Sequence, residues 1–124
     1  MLANQQLKAF VATVMPDAAR TFYSNILGLK FLSEDKYALE FDAGGVLLRI
    51  AIVPALKPQP FTVLGWNVDN ISSAIRSLNA KGVYCEKYDF LPQDEMGVWT
   101  APGGAKVAWF KDPDGNLLSL TEYS

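Results

Sequence analysis

The sequence predicts an α+β fold made of two β-α-β-β-β modules, and three observations lead to this. First, residues 41–50 (FDAGGVLLRI) and 111–120 (KDPDGNLLSL) align without a gap, so one strand–turn–strand pattern occurs twice. Second, each half contains one stretch with apolar residues at helical spacing that stops at a glycine, Gly28 or Gly82. Third, three prolines within residues 54–60 exclude a helix interior or a central strand there. The pattern is typical of a duplicated module with a short connector.

The first module is predicted to span residues 5–53. Its helix begins at Pro16 or Asp17, which are both residue types that favour the start of a helix, and its apolar face continues to Leu27. Runs rich in β-branched and apolar residues predict four strands, separated by polar or glycine-containing turns. These strands lie at 7–14, 29–32, 37–42 and 46–53.

The second module is predicted to span residues 61–124, with 54–60 as the linker. Its helix is capped by Asn70 or Ser72 and continues to about Lys81. The predicted strands lie at 61–68, at 83–88, in a short piece at 98–100, and in the two arms of the closing hairpin. At 124 residues we expect the chain to form one domain, because a half of about 60 residues buries too little surface to be stable alone.

Two turns in the second module have recognisable chemistry. Residues 101–104 (APGG) have Pro and then Gly at the central positions, which predicts a type II turn. Residues 112–115 (DPDG) have an acid first, Pro second and Gly last, which predicts a type I turn or a slightly longer loop built around one. The turn also accounts for Asp112, Asp114 and Asn116, which lack the further oxygen ligands of a calcium loop.

Composition excludes several classes of function. A net charge of −2 without a basic block gives no surface for nucleic acid or an anionic membrane, and no apolar run reaches the roughly 18 residues of a membrane span. Histidine is absent, which removes His-based catalysis and the commonest transition-metal ligand. Cys85 is the single cysteine, so no internal disulfide forms, and a reducing cytoplasm is the expected location. We interpret it as a small strand residue, since a reactive thiol needs a neighbouring base or cation.

Strand alternation separates the core side of each sheet from an open side. Bulky residues such as Trp66, Ile50 and Leu118 are assigned to the core. If the two sheets curve toward each other, the open sides line a cavity, which is the default place for a ligand. The open side is predicted to carry Lys8, Phe10, Arg49, Gly65, Asn67, Ser119 and Thr121.

Two motifs carry a resemblance to a known family. Residues 22–29 (FYSNILGL) resemble the FYxxxLG signature of the vicinal oxygen chelate superfamily, and 111–120 resemble its DPxGNxxEL signature. This superfamily contains glyoxalases, bleomycin-resistance proteins and extradiol dioxygenases. The resemblance covers nearly the whole chain and implies mixed sheets that curve around a central cavity. It also implies a homodimer, which the short sheet edges make physically reasonable.

Catalytic relatives usually hold a divalent metal with His and Glu side chains at four positions. Carried over to this sequence, those positions read Lys8, Arg49, Val63 and Ser119. Two cations, an alkyl group and a hydroxyl repel a metal ion rather than bind it, so we predict no metal and no cofactor. Glu40 and Glu122 are nearby carboxylates, but Glu122 has the wrong strand parity.

Three features are candidates for replacing the metal. Lys8 and Arg49 could accept an anion, or they could extend into solvent or pair with acids such as Glu40. Rings such as Trp99, Trp109, Phe10 and Tyr37 could wall a pocket for a flat or cationic ligand, or belong to the core. In the loop at 89–97, Asp94 and Glu95 could attract a cation or act as a base, or could be solvated loop charges.

These considerations give two hypotheses. The first is a cytoplasmic, metal-independent binding protein similar to the bleomycin-resistance group, which holds a small organic ligand, anionic or aromatic, between the sheets. The second is a divergent lyase, isomerase or dioxygenase of the same superfamily. The residues predicted to contact the ligand are Lys8, Phe10, Arg49, Asn67, Trp99, Trp109 and Ser119.

Overall fold

The computed structural model describes all residues, 1–124, and divides the chain into two compact units. The first unit is Met1–Lys57 and the second is Pro58–Ser124. The division falls inside the predicted linker at 54–60. No helix in either unit is both long enough and apolar enough to cross a membrane.

The first unit is a four-stranded mixed sheet with one helical segment. Its first strand lies parallel to its last, and the remaining pairs are antiparallel, in the order β1-β4-β3-β2. The four predicted strands are confirmed, and every strand end lies within two residues of its predicted position. The elements are β1 (Lys8–Thr13), α1 (Pro16–Thr21), a π-helical segment (Phe22–Ile26), β2 (Lys30–Glu34), β3 (Ala38–Ala43) and β4 (Val46–Ile52).

The helical segment of the first unit differs from the continuous α-helix that the periodicity predicts. It starts at Pro16 with no side-chain cap, but from Phe22 the backbone widens, and Leu27 N–H donates to Phe22 O at 3.0 Å, five residues earlier. Phe22 and Tyr23 are both buried, with ring centroids 5.2 Å apart, and Tyr23 also contacts Phe41 at 6.0 Å. The first two residues of the FYxxxLG motif are therefore core residues.

The second unit repeats this architecture. Its sheet has the order β5-β8-β7-β6, with β5 parallel to β8 and the other pairs antiparallel. The predicted helix is confirmed, and its apolar residues Ile71, Ile75 and Leu78 are buried. The elements are β5 (Thr62–Asn67), α2 (Ile71–Ala80), β6 (Trp99–Thr100), β7 (Lys106–Lys111) and β8 (Leu117–Glu122).

The strand predicted at 83–88 is wrong. That segment is irregular and makes one backbone bond to the sheet, from Glu86 N–H to Trp109 O at 2.7 Å. The reason is the side chain of Gln93, which donates to Glu86 O at 2.9 Å and accepts from Tyr88 N–H at 2.6 Å. The amide of Gln93 occupies backbone groups that a neighbouring strand would use. Cys85 therefore lies in an irregular segment and not in a strand.

The turn at 101–104 is also not the predicted type II. A type II turn needs a positive φ at its third residue, Gly103, but the positive φ, 96°, belongs to Gly104. Gly104 N–H donates to Ala101 O at 2.9 Å, which fits a type I turn followed by a left-handed glycine. The turn at 112–115 is built as predicted, with Gly115 N–H donating to Asp112 O at 2.9 Å.

Strand pairing shows the duplication directly. In the first sheet Phe10 lies beside Arg49, and in the second Gly65 lies beside Ser119. Arg49 and Ser119 are aligned by the sequence repeat. The pairing of β5 with β8 differs from that of β1 with β4 at one point, because the register of β5 shifts between Thr62 and Leu64. Val63 lies in this irregularity and is 41% exposed.

Two side chains hold the start of α2. Asn70 Oδ1 accepts from Ser73 N–H at 3.0 Å, which confirms Asn70 as the cap. Glu122 Oε1, at the end of β8, accepts from Ile71 N–H at 2.8 Å. Since the first N–H groups of a helix have no partner inside the helix, and carboxylates are favoured there, Glu122 ties the last strand to α2.

Replacing Glu122 by Ala is expected to lower the free energy of unfolding by about 1 kcal/mol, because Ile71 N–H loses its acceptor. Urea denaturation followed by circular dichroism measures this. Glu95→Ala is the matched control, since Glu95 is exposed in a loop, and it should change stability by less than about 0.5 kcal/mol. Equal effects of the two substitutions would contradict the capping role.

Candidate functional site

The open side of the second sheet has a row of three residues from neighbouring strands. Trp109 in β7 pairs with Ser119 in β8, which pairs with Gly65 in β5. Ser119 is only 9% exposed, and a Cβ at Gly65 would lie 2.6 Å from Ser119 Oγ. Glycine is therefore required at this position if Ser119 keeps its present rotamer, and the two residues that share the row with Trp109 are both small.

A chain of four aromatic rings runs through the unit beside this row. Phe90 lies 5.3 Å from Tyr88, Tyr88 lies 5.8 Å from Trp109 at an interplanar angle of 78°, and Trp109 lies 6.3 Å from Trp99, measured between ring centroids. These distances are typical of stabilising aromatic pairs. The four rings therefore connect the exposed loop that carries Phe90 to the open side of the second sheet, where Trp109 lies.

Next to these rings lies an open cleft of about 480 Å³, which we call the aromatic cleft. It is lined by Phe61, Tyr88, Phe90 and Trp109, with Leu91 and Leu117 completing the apolar wall. Phe90 is 80% exposed and Phe61 is 59% exposed. Large rings that remain in water beside a concave surface are the usual sign of a binding surface.

The loop that carries Tyr88 and Phe90 has a fixed internal structure. Gln93 bonds the backbone at three points, the third being Gly97 O at 2.8 Å. Asp94 Oδ1 accepts from Met96 N–H and Val98 N–H, both at 2.9 Å. The carboxylate of Asp94 therefore organises the loop.

The charges near the aromatic cleft are few. Lys111 lines it and pairs with Glu86 at 3.5 Å, with the two side chains 52% and 35% exposed. The pKa of the Tyr88 phenol is raised above its usual value, first by burial and then by the negative charge of Glu86. Tyr88 is therefore a neutral hydrogen-bonding group at neutral pH.

The first unit places its predicted ligand residues differently. Lys8 Nζ lies over the ring of Phe10, 5.5 Å from its centroid, and this ring is 58% exposed. Arg49 Nη1 donates to Glu40 Oε2 at 2.9 Å across neighbouring strands. The sequence left open whether Arg49 accepts an anion or instead extends into solvent or pairs with an acid. In the structure it pairs with Glu40.

The seven predicted ligand residues thus divide between the units. Trp109 lines the aromatic cleft, Trp99 contacts the ring of Trp109, and Asn67 is exposed beside Thr121. Lys8, Phe10 and Arg49 lie on the open side of the first sheet, and Ser119 lies on that of the second.

Of the residues that line the cleft, sequence reasoning found only Trp109 and missed the others, among them Phe61, Tyr88, Phe90 and Lys111. The available signal was the large apolar ring of Phe90 in a loop, 89–97, that also contains four charged or amide side chains.

Metal-binding side chains do not gather anywhere in the structure. No group of three or more His, Cys, Asp or Glu residues lies close enough to hold an ion. Both carboxylates considered from the sequence already have partners, since Glu40 binds Arg49 and Glu122 caps α2.

Comparisons with known proteins agree on one family. A sequence model of the Glyoxalase/Bleomycin resistance protein/Dioxygenase superfamily matches residues 6–120. No curated protein matches the chain in sequence. Many solved structures share the fold, and those described next are all less than 25% identical to this chain.

A lactoylglutathione lyase from Agrobacterium tumefaciens has a TM-score of 0.75 at 17% identity, with 98% of this chain and 96% of that chain covered. A fosfomycin resistance protein from Listeria monocytogenes has a TM-score of 0.75 at 14% identity, with coverage of 98% and 94%. A superfamily member from Sphaerobacter thermophilus has a TM-score of 0.75 at 21% identity, with coverage of 98% and 99%.

Gly65→Ala is expected to lower the free energy of unfolding by about 1 kcal/mol, because the new methyl group forces Ser119 out of its rotamer. Adding Ser119→Ala removes the oxygen that clashes and should recover most of this loss. Chemical denaturation of both single variants and the double variant measures the coupling. A double variant no more stable than Gly65→Ala would show that the two side chains do not meet.

Cys85 is expected to react slowly with iodoacetamide at neutral pH. Burial, and then the charges of Glu86 and Asp94, raise the pKa of its thiol to about 11. Only about one thiol in a thousand is then deprotonated at pH 8, and the thiolate is the reactive form. The alkylation rate, measured from pH 7 to 11 beside glutathione as a reference thiol, should keep rising to the end of this range. A plateau below pH 9 would contradict the raised pKa.

Proposed function

Because the chain belongs to the Glyoxalase/Bleomycin resistance protein/Dioxygenase superfamily, we propose that it binds a small organic ligand in the aromatic cleft of its second unit, without a metal ion. The supporting observation is the cleft itself. A volume of about 480 Å³ is within the range of ligand pockets, which is about 300–1,000 Å³. Exposed rings on two sides of the cleft supply contact area at a small entropy cost.

The residues at the family's metal positions do not fit a metal ion. Lys8 and Arg49 are cations, Val63 has no donor atom, and Ser119 offers one neutral hydroxyl that lies over Gly65. A divalent cation needs several anionic or imidazole donors to replace its hydration shell. The chemistry of this donor set therefore supports metal-independent binding.

Catalysis remains the other hypothesis for this chain. Two of the structural relatives are described as a lactoylglutathione lyase and a fosfomycin resistance protein, at identities that indicate the shared fold alone. The lining of the aromatic cleft contains no Asp or Glu side chain, so it offers no carboxylate base. Binding is therefore the function that we propose.

The same proposal includes a homodimer in the cytoplasm. Each unit has an exposed ring, Phe10 at 58% in the first and Phe61 at 59% in the second, which a second copy could cover. A single, partly buried cysteine is compatible with a reducing compartment.

The test is binding of small aromatic compounds, measured by calorimetry and by quenching of tryptophan fluorescence, since Trp109 lines the cleft. Phe90→Ala should weaken binding by about three- to tenfold, because one ring contact of about 0.5–1.5 kcal/mol is lost. Tyr84→Ala is the matched control, since Tyr84 is 66% exposed but lies outside the cleft lining, and it should leave affinity unchanged. A metal chelator should have no effect on any of these affinities.

Three results would count against the proposal. One is failure of neutral, cationic and anionic aromatic compounds alike to bind. A second is binding that is as tight in Phe90→Ala as in the parent chain. The third is a stoichiometric metal ion in the purified protein whose removal abolishes binding, which would overturn the metal-independent part.

A further inference from the structure

The aromatic cleft has a single charged lining residue, Lys111. We infer that its ligand is a planar aromatic acid, whose ring lies against Trp109 and Phe90 and whose carboxylate replaces Glu86 on the ammonium group of Lys111. This inference rests on the proposed function, since it assigns a chemical class to the ligand of the same cleft.

The positions of Trp109 and Lys111 set the spacing of ring and charge. Both lie in β7, two residues apart, so their side chains emerge on the same side of the sheet. Their backbone positions are separated by about 7 Å along the strand. A ligand that stacks on the indole ring can therefore direct an acidic substituent toward the ammonium group.

Glu86 already occupies the anion position on Lys111, but it does so weakly. The Nζ–Oε1 distance of 3.5 Å is longer than the roughly 2.7–2.9 Å of a charge-assisted hydrogen bond. Both side chains are substantially exposed, and an exposed pair of this kind contributes between about 0 and 1 kcal/mol. A ligand carboxylate can therefore displace the Glu86 side chain at little cost.

The backbone of Glu86 does not need to move in this exchange. Its N–H stays bonded to Trp109 O at 2.7 Å, and its carbonyl stays bonded to Gln93 Nε2 at 2.9 Å. Only the carboxylate rotates away. The wall of the cleft therefore keeps its shape when an acid enters.

The same geometry disfavours a cationic ligand. Aromatic rings attract cations, and the sequence therefore allowed a cationic ligand. Lys111 opposes this attraction within the cleft, the lining contains no acidic side chain, and of the nearby carboxylates Asp94 accepts backbone N–H groups and Glu86 pairs with Lys111. A neutral ligand keeps the ring contacts but does not use the ammonium group.

The experiment uses three compounds with one ring system and different charges: 2-naphthoate, 2-naphthamide and 2-naphthylmethylamine. Calorimetry should show that the full chain binds naphthoate about tenfold more tightly than naphthamide, since a hydrogen bond to a charged group is among the stronger ones. The amine should bind more weakly than the amide. The preference for the acid should fall as salt is added.

Two substitutions should move the affinity for naphthoate in opposite directions. Lys111→Gln should remove the preference for the acid, so that naphthoate and naphthamide bind with similar affinities, and an unchanged circular dichroism spectrum shows that the variant is folded. Glu86→Gln should tighten naphthoate binding by about two- to fivefold, because the competing carboxylate is gone. Lys106→Gln, on the same strand but outside the cleft lining, is the control for net charge and should change nothing.

The outcomes separate this inference from the proposed function. Equal affinities for acid and amide, a preference for the amine, or a preference for the acid that survives Lys111→Gln would each overturn the aromatic acid. In these cases, weaker binding in Phe90→Ala would still support the cleft as the ligand site. Failure of all three compounds to bind would overturn both.

Discussion

The register of the hairpin formed by β7 and β8 is the constraint on which the candidate site depends. Asp112, which is 6% exposed, fixes this register at the turn. Its carboxylate accepts from Asp114 N–H at 3.0 Å and from Asn116 N–H and Nδ2 at 2.9 Å each. A slip of one residue would move every side chain of a strand to the opposite face. Trp109 and Lys111 reach the aromatic cleft only because this turn holds its register.

The duplication shows how one backbone pattern supports two different surfaces. In the first sheet the row that runs across three strands is Phe10, Arg49 and Glu40. In the second sheet the equivalent row is Gly65, Ser119 and Trp109. The first row places a cation beside an anion, and the two charges neutralise each other. In the second row, Ser119 and Trp109 stand where the first row has Arg49 and Glu40. The same positions therefore give an uncharged surface beside the cleft.

Local patterns in the sequence were sufficient for most of the fold. The repeated hairpin, the helix of the second unit and the turn at Asp112 each depend on residues close together in the chain. The strand expected at 83–88 fails because the amide of Gln93, several residues later, takes its backbone hydrogen bonds. The cleft was missed for a related reason, since Phe90 reaches Tyr88 and Trp109 only after that loop has folded. Contacts of this kind leave no periodic signal in a sequence.

The two ion pairs differ in strength, which is why we assign the anion of the ligand to Lys111 and not to Arg49. Arg49 pairs with Glu40 at 2.9 Å between adjacent strands, and the two side chains are only 30% and 25% exposed. Lys111 pairs with Glu86 at 3.5 Å, and these side chains are 52% and 35% exposed. The shorter and more buried pair costs more to break, because less water replaces the lost partner. Of the two cations, Lys111 is therefore the one that exchanges its partner more easily, and it is the one that lines the aromatic cleft.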